Sequence, residues 1–98
     1  MREVLKSATF DKWLAGLRDR QAKARIAVRI DRLASGNPGD VKPVGSGLSE
    51  MRIDYGPGYR VYFMPHGALI IVLLCGGDKR TQAADIKRAL EIAQDWKE

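Results

Sequence analysis

Two arginines on neighbouring stretches of predicted strand are the residues of this chain best suited to chemistry. Arg52 lies in SEMRIDY (49–55) and Arg60 in YRVYFM (59–64), and both stretches alternate apolar and polar residues with a period of two. Both arginines are therefore predicted to lie on the polar face of one antiparallel hairpin. Two guanidinium groups flanked by Tyr62 and the carboxylate of Asp54 could help to bind an anion such as phosphate.

The loop Gly56-Pro57-Gly58 sets the expected register of this hairpin, because a three-residue loop joins the flanking residues directly. The expected pairs across the ladder are Tyr55 with Tyr59, Asp54 with Arg60, and Arg52 with Tyr62. Glu50 also falls on the polar face, which is expected to point away from the core. A merely solvated sheet face is the other interpretation of this pattern.

A second basic feature follows the most apolar stretch, Leu69 to Cys75, where the sequence reads GGDKR (76–80). The two glycines are expected to end the strand, so that their amides and the start of the next helix could bind an anion beside Lys79 and Arg80. A tight turn before a capped helix would explain the same residues without any ligand.

Other kinds of site have little support in the sequence. The single histidine, His66, lies in a predicted turn, and neither a catalytic triad nor a zinc site has enough partners. Cys75 is expected in the core, and Asp85 is interpreted either as a surface charge or capping partner or as an active-site residue. We therefore predict no metal and no cofactor.

Composition sets the broad class of protein. The 98 residues fit one domain over residues 1–98, and seventeen Lys and Arg against twelve Asp and Glu give a net charge of +5. This excess favours an anionic partner, although arginines on a solvated helix face would account for much of it. The lone cysteine rules out an intrachain disulfide, and the longest apolar run is far shorter than the ~20 residues that span a bilayer. A cytoplasmic protein without a membrane segment is expected.

The elements that must position these residues follow the order β-α-α-β-β-β-α, an α+β fold. A short edge strand is expected at 2–6, then a helix capped by Thr9, then an amphipathic helix over 18–36 that ends at Gly36. Three strands in an antiparallel meander follow, of which 69–75 is expected to be central and best covered. A last helix, capped by Asp78 or Thr81, runs to about Trp96.

Taken together, the segments MRIDYGPGYRVYF, LLCGGDKRTQ and ADIKRA in this order resemble the RelE/ParE toxin superfamily, and most closely its HigB-like, phage Gp49-type branch. The resemblance implies a small antiparallel-rich sheet packed on a helical hairpin and a C-terminal helix. It also implies the toxin of a type II toxin–antitoxin module, one that cuts mRNA on the ribosome without a metal ion.

The resemblance also assigns roles to residues. It implies that Arg60 contacts the substrate phosphate, that Lys79 or Arg80 supports the transition state, and that the RNA 2′-hydroxyl attacks the adjacent phosphate. Tyr62 is a further catalytic candidate. The substrate-binding candidates are Arg52, Tyr59, Gly76 and Gly77.

One departure from the family pattern concerns proton transfer. Several relatives have a His or Tyr near the C-terminus, whereas the tail DIKRALEIAQDWKE has neither. Lys79, Tyr62, Asp78 or a ribosomal group would then have to move the proton.

The implied partners are mRNA, the ribosome and a cognate antitoxin. The antitoxin is expected to be a small helix-turn-helix protein that is acidic where it covers the basic face. The module would bind operator DNA only through this antitoxin. Two alternatives remain: a non-catalytic ParE-like toxin that inhibits DNA gyrase, and an accessory domain that binds nucleic acid.

Overall fold

The computed structural model describes residues 1–96 and has an α+β architecture in which one mixed sheet lies between two helical layers. The strands are β1 (Glu3–Lys6), β2 (Val41–Gly45), β3 (Leu48–Ile53), β4 (Tyr59–His66) and β5 (Ile70–Asp78). The helices are α1 (Ala8–Gly16), α2 (Arg20–Ala34) and α3 (Gln82–Asp95), and a 3₁₀ turn (Lys79–Thr81) precedes α3. The predicted α+β class is confirmed.

The sheet has the order β1-β5-β4-β3-β2, with β1 parallel to β5 and all other neighbours antiparallel. β1 is an edge strand, as predicted, and the middle position belongs to β4 rather than β5. The strand β2 was missed, because Pro43 and the surrounding glycines read as a loop. Proline is tolerated there because β2 lies at the other edge of the sheet, where a backbone N–H can be absent without breaking a ladder.

One face of the sheet packs against the hairpin of α1 and α2. Its core joins Phe10, Ile26 and Ile30 of the helices to Met51 and Val61 of the strands, all of them buried. The apolar stripe of α2 was predicted correctly, and Gly36 ends that helix with a φ of 90°.

The predicted cap of α1 was wrong by two residues. Ser7, not Thr9, is the N-cap: its hydroxyl accepts from the Phe10 amide at 2.9 Å and donates to the Leu74 carbonyl at 2.5 Å. A serine hydroxyl can form hydrogen bonds to the first turn of a helix and to the backbone of a strand at the same time only where the helix begins beside that strand. The choice between two nearby hydroxyl residues therefore depended on where β5 lies.

The opposite face packs against α3. Ala89 is fully buried there against Leu74 and Cys75, and Ile86 and Leu90 border the same cluster. Asp78 caps the 3₁₀ turn in a capping box with Thr81, in agreement with the prediction of a cap at this point. Within residues 1–96 no helix combines the length and apolar character needed to cross a membrane.

The end of β5 and the preceding turn differ from expectation. Gly76 and Gly77 do not end the strand: they pair with Val61 and Arg60 of β4, and the ladder continues to Asp78. His66, expected in a turn, is the last residue of β4 and pairs with Ile70.

The register of the β3–β4 hairpin also differs, by two residues. Arg52 lies opposite Arg60, and Ile53 opposite Tyr59. Tyr55 leaves the ladder and closes a turn in which the Gly58 amide donates to its carbonyl at 3.2 Å. A shift of two residues keeps every side chain on its predicted face but changes its partners.

Candidate functional site

The centre of the polar sheet face is Glu50, a carboxylate that is 0% exposed. Its Oε2 accepts from the Tyr62 hydroxyl at 3.2 Å and from the Gln82 side-chain amide at 2.5 Å, while its Oε1 accepts from Arg52 Nε at 3.2 Å. Arg60 Nε lies 3.7 Å from Oε2. Glu50 thus joins β3, β4 and the first residue of α3 in one polar cluster.

Sequence reasoning placed Glu50 on the correct face but gave it no role. The signal was present, because Glu50 and Arg52 lie two residues apart and therefore on one side of the same strand. With the observed register Glu50 faces Tyr62. The assumed register instead put Asp54 opposite Arg60, and Asp54 is exposed beyond the end of β3.

The two arginines lie side by side, as a pair directly opposed across the ladder. The Arg52 side chain is 34% exposed and that of Arg60 is 13% exposed. Arg60 Nε is buried without a hydrogen-bond acceptor, since its distance to Glu50 exceeds hydrogen-bond range. Both guanidinium groups pair with Glu50, and the Asp85 carboxylate lies on the same face beside Gly77, the ladder partner of Arg60.

Tyr62 is not placed to transfer a proton to a bound substrate. Its side chain is fully buried and its hydroxyl donates to Glu50. Burial, reinforced by the negative charge of Glu50, raises the pKa of Tyr62 far above its ordinary value of 10.0. The phenol therefore stays protonated and holds the Glu50 carboxylate in place.

The basic corner after β5 adjoins the arginine pair. Arg60 pairs with Gly77, and Lys79 follows two residues later, beside Gly58 of the β3–β4 loop. Lys79 is exposed. Arg80 is 81% exposed and forms an ion pair with Asp78 at 3.1 Å, and this hydrogen-bonded contact lowers the pKa of the Asp78 carboxyl.

The two glycines of this corner have packing roles on opposite faces of the sheet. A Cβ at Gly76 would overlap the ring of Trp13 on α1, and a Cβ at Gly77 would overlap the carboxylate of Asp85 on α3. Both glycines lie in the ladder rather than in a loop that could wrap around an anion. Close approach of the two helices accounts for them.

Tyr59 is separated from the arginine pair by the sheet itself. It lies next to Arg60 in sequence and so points to the other face, where its ring meets that of Trp13 edge-on at 6.3 Å. The structure thus brings Arg52 and Arg60 together near Lys79, and it places Tyr59 elsewhere.

The region between β5 and α3 contains the remaining reactive groups. The Thr81 hydroxyl donates to Asp85 at 2.5 Å, and Cys75 is 2% exposed, as expected for a core residue. Burial, with the charge of Asp85, raises the pKa of the Cys75 thiol to about 12, so the thiol is unreactive at neutral pH. Among residues 1–96 no group of three or more His, Cys, Asp and Glu side chains could hold a metal ion.

Comparisons with known proteins identify a family and a relative of this chain. Residues 12–98 match the family described as phage derived protein Gp49-like. The matched residues include the second half of α1 and every helix and strand after it. The chain is also similar to a protein of Haemophilus influenzae (strain ATCC 51907 / DSM 11121 / KW20 / Rd) that bears the name "Uncharacterized protein". The two are 50% identical over 93 residues, which is 95% of this chain and 94% of the relative.

Proposed function

Because this chain belongs to the Gp49-like family of phage-derived proteins, a toxin-like family whose members are commonly toxins of toxin–antitoxin modules, we propose that it is the toxin of such a module and an endoribonuclease that cuts mRNA on the ribosome. The observation that carries the proposal is the Arg52–Arg60 pair, held by the buried Glu50 and flanked by the exposed Lys79. Cations in fixed positions on a partly exposed sheet face are suited to a phosphodiester.

In the proposed reaction one bond to phosphorus forms within the RNA and one breaks, while the 2′-hydroxyl loses a proton and the leaving 5′-oxygen gains one. The 2′-oxygen of one nucleotide attacks the adjacent phosphorus, and the bond from phosphorus to the 5′-oxygen of the next nucleotide breaks. The products are a 2′,3′-cyclic phosphate and a 5′-hydroxyl. Arg60 and Arg52 would hold the phosphate and offset the negative charge of the phosphorane, because fixed cations need no reorganisation as that charge develops.

Burial of Tyr62 narrows the choice of groups for proton transfer. The phenol is fully buried, and the carboxylate of Asp78 is a weaker base because Arg80 holds its pKa down. Lys79 and a group of the ribosome remain as candidates. Lys79 is therefore the first residue to vary when the pH dependence of cleavage is measured.

The proposal predicts that expression of the chain without a neutralising partner stops growth and cuts translated messages. We expect Arg60→Ala to abolish the cuts, since removing a cation that contacts the transferring phosphate typically costs two to three orders of magnitude (~10²–10³) in rate. The measurement is a map of mRNA 5′ ends, prepared with and without prior phosphorylation by a kinase. A 5′-hydroxyl product is captured only after that treatment.

The matched control is Arg88→Ala, which removes an exposed arginine of α3 that pairs with Glu91 at 3.6 Å. It should cleave like the parent chain, and circular dichroism should show that both variants are folded. If the messages stay intact and a DNA-damage response appears, the proposed function changes from a nuclease to a gyrase inhibitor. Cuts that persist in Arg60→Ala would remove this site from the reaction.

The proposal includes a cognate antitoxin, expected to be a helix-turn-helix protein that links the module to operator DNA. A surface that covers the arginine pair would have to be acidic, because burying unpaired guanidinium groups is costly. Co-expression of the neighbouring reading frame should restore growth and yield a complex on purification. Failure of every neighbouring frame to do so would argue against a toxin–antitoxin module.

A further inference from the structure

The outward side of α2 carries a groove that the proposed cleavage site does not use. The apolar residues Ile26 and Ile30 of this helix face the sheet, but Val28 points outward and is 46% exposed. Together with Ala24 on the preceding turn, it lines a groove of about 430 Å³ that is closed by Ile53 at the end of β3. The floor of this groove is therefore apolar.

The rim of the groove is basic and held in position. Arg29 donates to the carbonyls of Arg52, Pro38 and Asp40, and the Arg25 guanidinium stacks over the Tyr55 ring at 4.6 Å. Neutral carbonyls orient Arg29 without cancelling its charge, whereas Arg25 over the Tyr55 ring also interacts electrostatically with Asp19, which accepts from the Tyr55 hydroxyl.

A third arginine, Arg32, extends the rim by one turn, and Asp54 is the one acidic residue in the lining. Three arginines against one aspartate leave a net charge of +2 around the apolar floor. An acidic ligand with an apolar surface of its own would match both properties.

The shape of the groove suits a helix. Its lining residues on α2 run from Gln21 to Arg32, which at 1.5 Å per residue is about 16 Å, or three helical turns. Small and medium side chains at Ala24 and Val28 allow a second helix to approach closely, with its flanking carboxylates over the arginine rim.

Other occupants fit less well. A second copy of the chain would bring the same arginine rim against itself, which costs free energy through like-charge repulsion. A nucleic acid would gain nothing from Val28 and Ile53, and a membrane surface needs the apolar stripe of α2, which is already buried against the sheet.

We propose that this groove binds an acidic amphipathic helix of a partner protein, on the side of the molecule opposite the Arg52–Arg60 pair. Since α2 and α3 cover different faces of the sheet, a partner bound here leaves the arginine pair uncovered. Binding through this groove is therefore independent of cleavage, and its test does not depend on the proposed nuclease.

The experiment uses the full chain and a fluorescein-labelled synthetic peptide roughly 15 residues long, enough for about four helical turns. The peptide has leucine and alanine on one face and glutamate on both flanks, and binding is measured by fluorescence anisotropy at physiological ionic strength. Val28→Glu should weaken binding by about tenfold or more, because it places a carboxylate in an apolar contact facing glutamates. Arg32→Glu should weaken it by roughly fivefold.

The matched controls are exposed residues on α2 or just before it that do not line the groove. Ala27→Glu adds the same carboxylate one residue from Val28, and Arg18→Glu reverses the same charge as Arg32→Glu; both positions are exposed and neither lines the groove. Both should bind within about twofold of the parent chain, as expected for charges that the peptide does not contact. Circular dichroism confirms that each variant is folded.

Several results would overturn the proposal. An equal loss in Arg18→Glu and Arg32→Glu would show general charge attraction rather than a site. Equal binding of a peptide with lysine in place of glutamate, or no binding at all, would remove the acidic helix as the occupant. Displacement of the peptide by a single-stranded RNA, with Val28→Glu lowering RNA affinity, would assign the groove to nucleic acid.

Discussion

The two faces of the sheet are made by the same strands and each has an apolar cluster, but only the face toward α3 also buries a charged residue. Toward the hairpin of α1 and α2, β3 and β4 present Met51, Ile53 and Val61 to an apolar core. Toward α3 the alternate residues, Glu50 and Arg60 among them, form a polar cluster of which Glu50 is fully buried. The first face needs only complementary shapes, whereas the second also needs every donor and acceptor to be matched.

The polar cluster around Glu50 is not the arrangement that folding stability alone would favour. Charged groups removed from water lose hydration, and replacing such a cluster with apolar residues is often neutral or stabilising. The Nε of Arg60 lies 3.7 Å from Glu50 and has no hydrogen-bond acceptor, so the cluster is incompletely matched within the chain. An incompletely satisfied cationic cluster on a partly exposed face supports the proposal that this face binds an anion.

The largest expected effect is the loss of the central carboxylate. Glu50→Ala should lower the free energy of unfolding by ~3–5 kcal/mol, because it leaves two guanidinium groups and two further donors around an empty space. On the other face, Met51→Leu keeps the volume and should cost less than ~1.5 kcal/mol. Urea unfolding followed by circular dichroism measures both.

Glu50→Gln serves as the control for charge, since it keeps the shape and one acceptor oxygen. Its cost should fall between those of the other two variants. If Glu50→Ala lowers the free energy of unfolding no more than Met51→Leu does, the polar groups around Glu50 are not energetically coupled. The proposed difference between the two faces would then be wrong.

A smaller effect is expected from adding a methyl group at each glycine of β5. Gly76→Ala should cost ~1–3 kcal/mol, because its Cβ meets a Trp13 ring fixed between Phe10 and Tyr59. Gly77→Ala should cost less, because the carboxylate of Asp85 is the end of a side chain that can rotate. The same urea titrations distinguish the two.

The background Asp85→Ala provides the control for the second glycine. If the carboxylate is the obstacle, Gly77→Ala should cost less in that background than in the parent chain. Equal costs at Gly76 and Gly77 in both backgrounds would point to the backbone rather than to the two helices.

The last effect is absent at neutral pH and appears only in alkaline solution, where it reports on the α3 face. Burial raises the pKa of Cys75 from 9.0 to about 12, so the unfolded state loses this proton before the folded state does. The stabilising contribution is complete below pH 9 and is lost as the pH rises from 9 towards 12, with a limiting slope of ~1.4 kcal/mol per pH unit. Tyr62 has the same sign, beginning near its ordinary pKa of 10.0.

Cys75→Ala should therefore flatten the fall in unfolding free energy above pH 9, even if it lowers the value at neutral pH. Tyr62→Phe should flatten it from about pH 10. Urea titrations at a series of pH values provide the measurement. An unchanged slope in both variants would place the alkaline transition outside the α3 face.

Much of the fold could be predicted because it depends on local patterns. The stripe of α2, the alternation in β3 and β4, the buried run of β5 and the cap at Asp78 each follow from residues close together in sequence. The edge strand β2 was missed because Pro43 and the glycines around it carry a turn signal stronger than the signal for a strand. Its pairing with β3 is what makes it a strand.

The candidate site was predicted in outline for the same reason. Alternation placed Arg52 and Arg60 on one face, and chain order placed Lys79 near the end of that face. The partners were wrong because Tyr55 leaves the ladder: its hydroxyl binds Asp19 and Gln21 at the start of α2, both at 2.9 Å. No pattern within the hairpin could indicate a contact with a helix more than thirty residues away.

The sequence by itself determined which side chains share a face, because the period of two along a strand is a property of the backbone. It also determined the excess of positive charge and, apart from β2, the order of the helices and strands. Only the tertiary structure decided which polar groups meet, that Glu50 lies beneath Gln82 and between two arginines, and that Gly76 and Gly77 admit two helices rather than an anion. Those outcomes depend on how far one element is displaced along another, and that displacement is set by packing between residues distant in sequence.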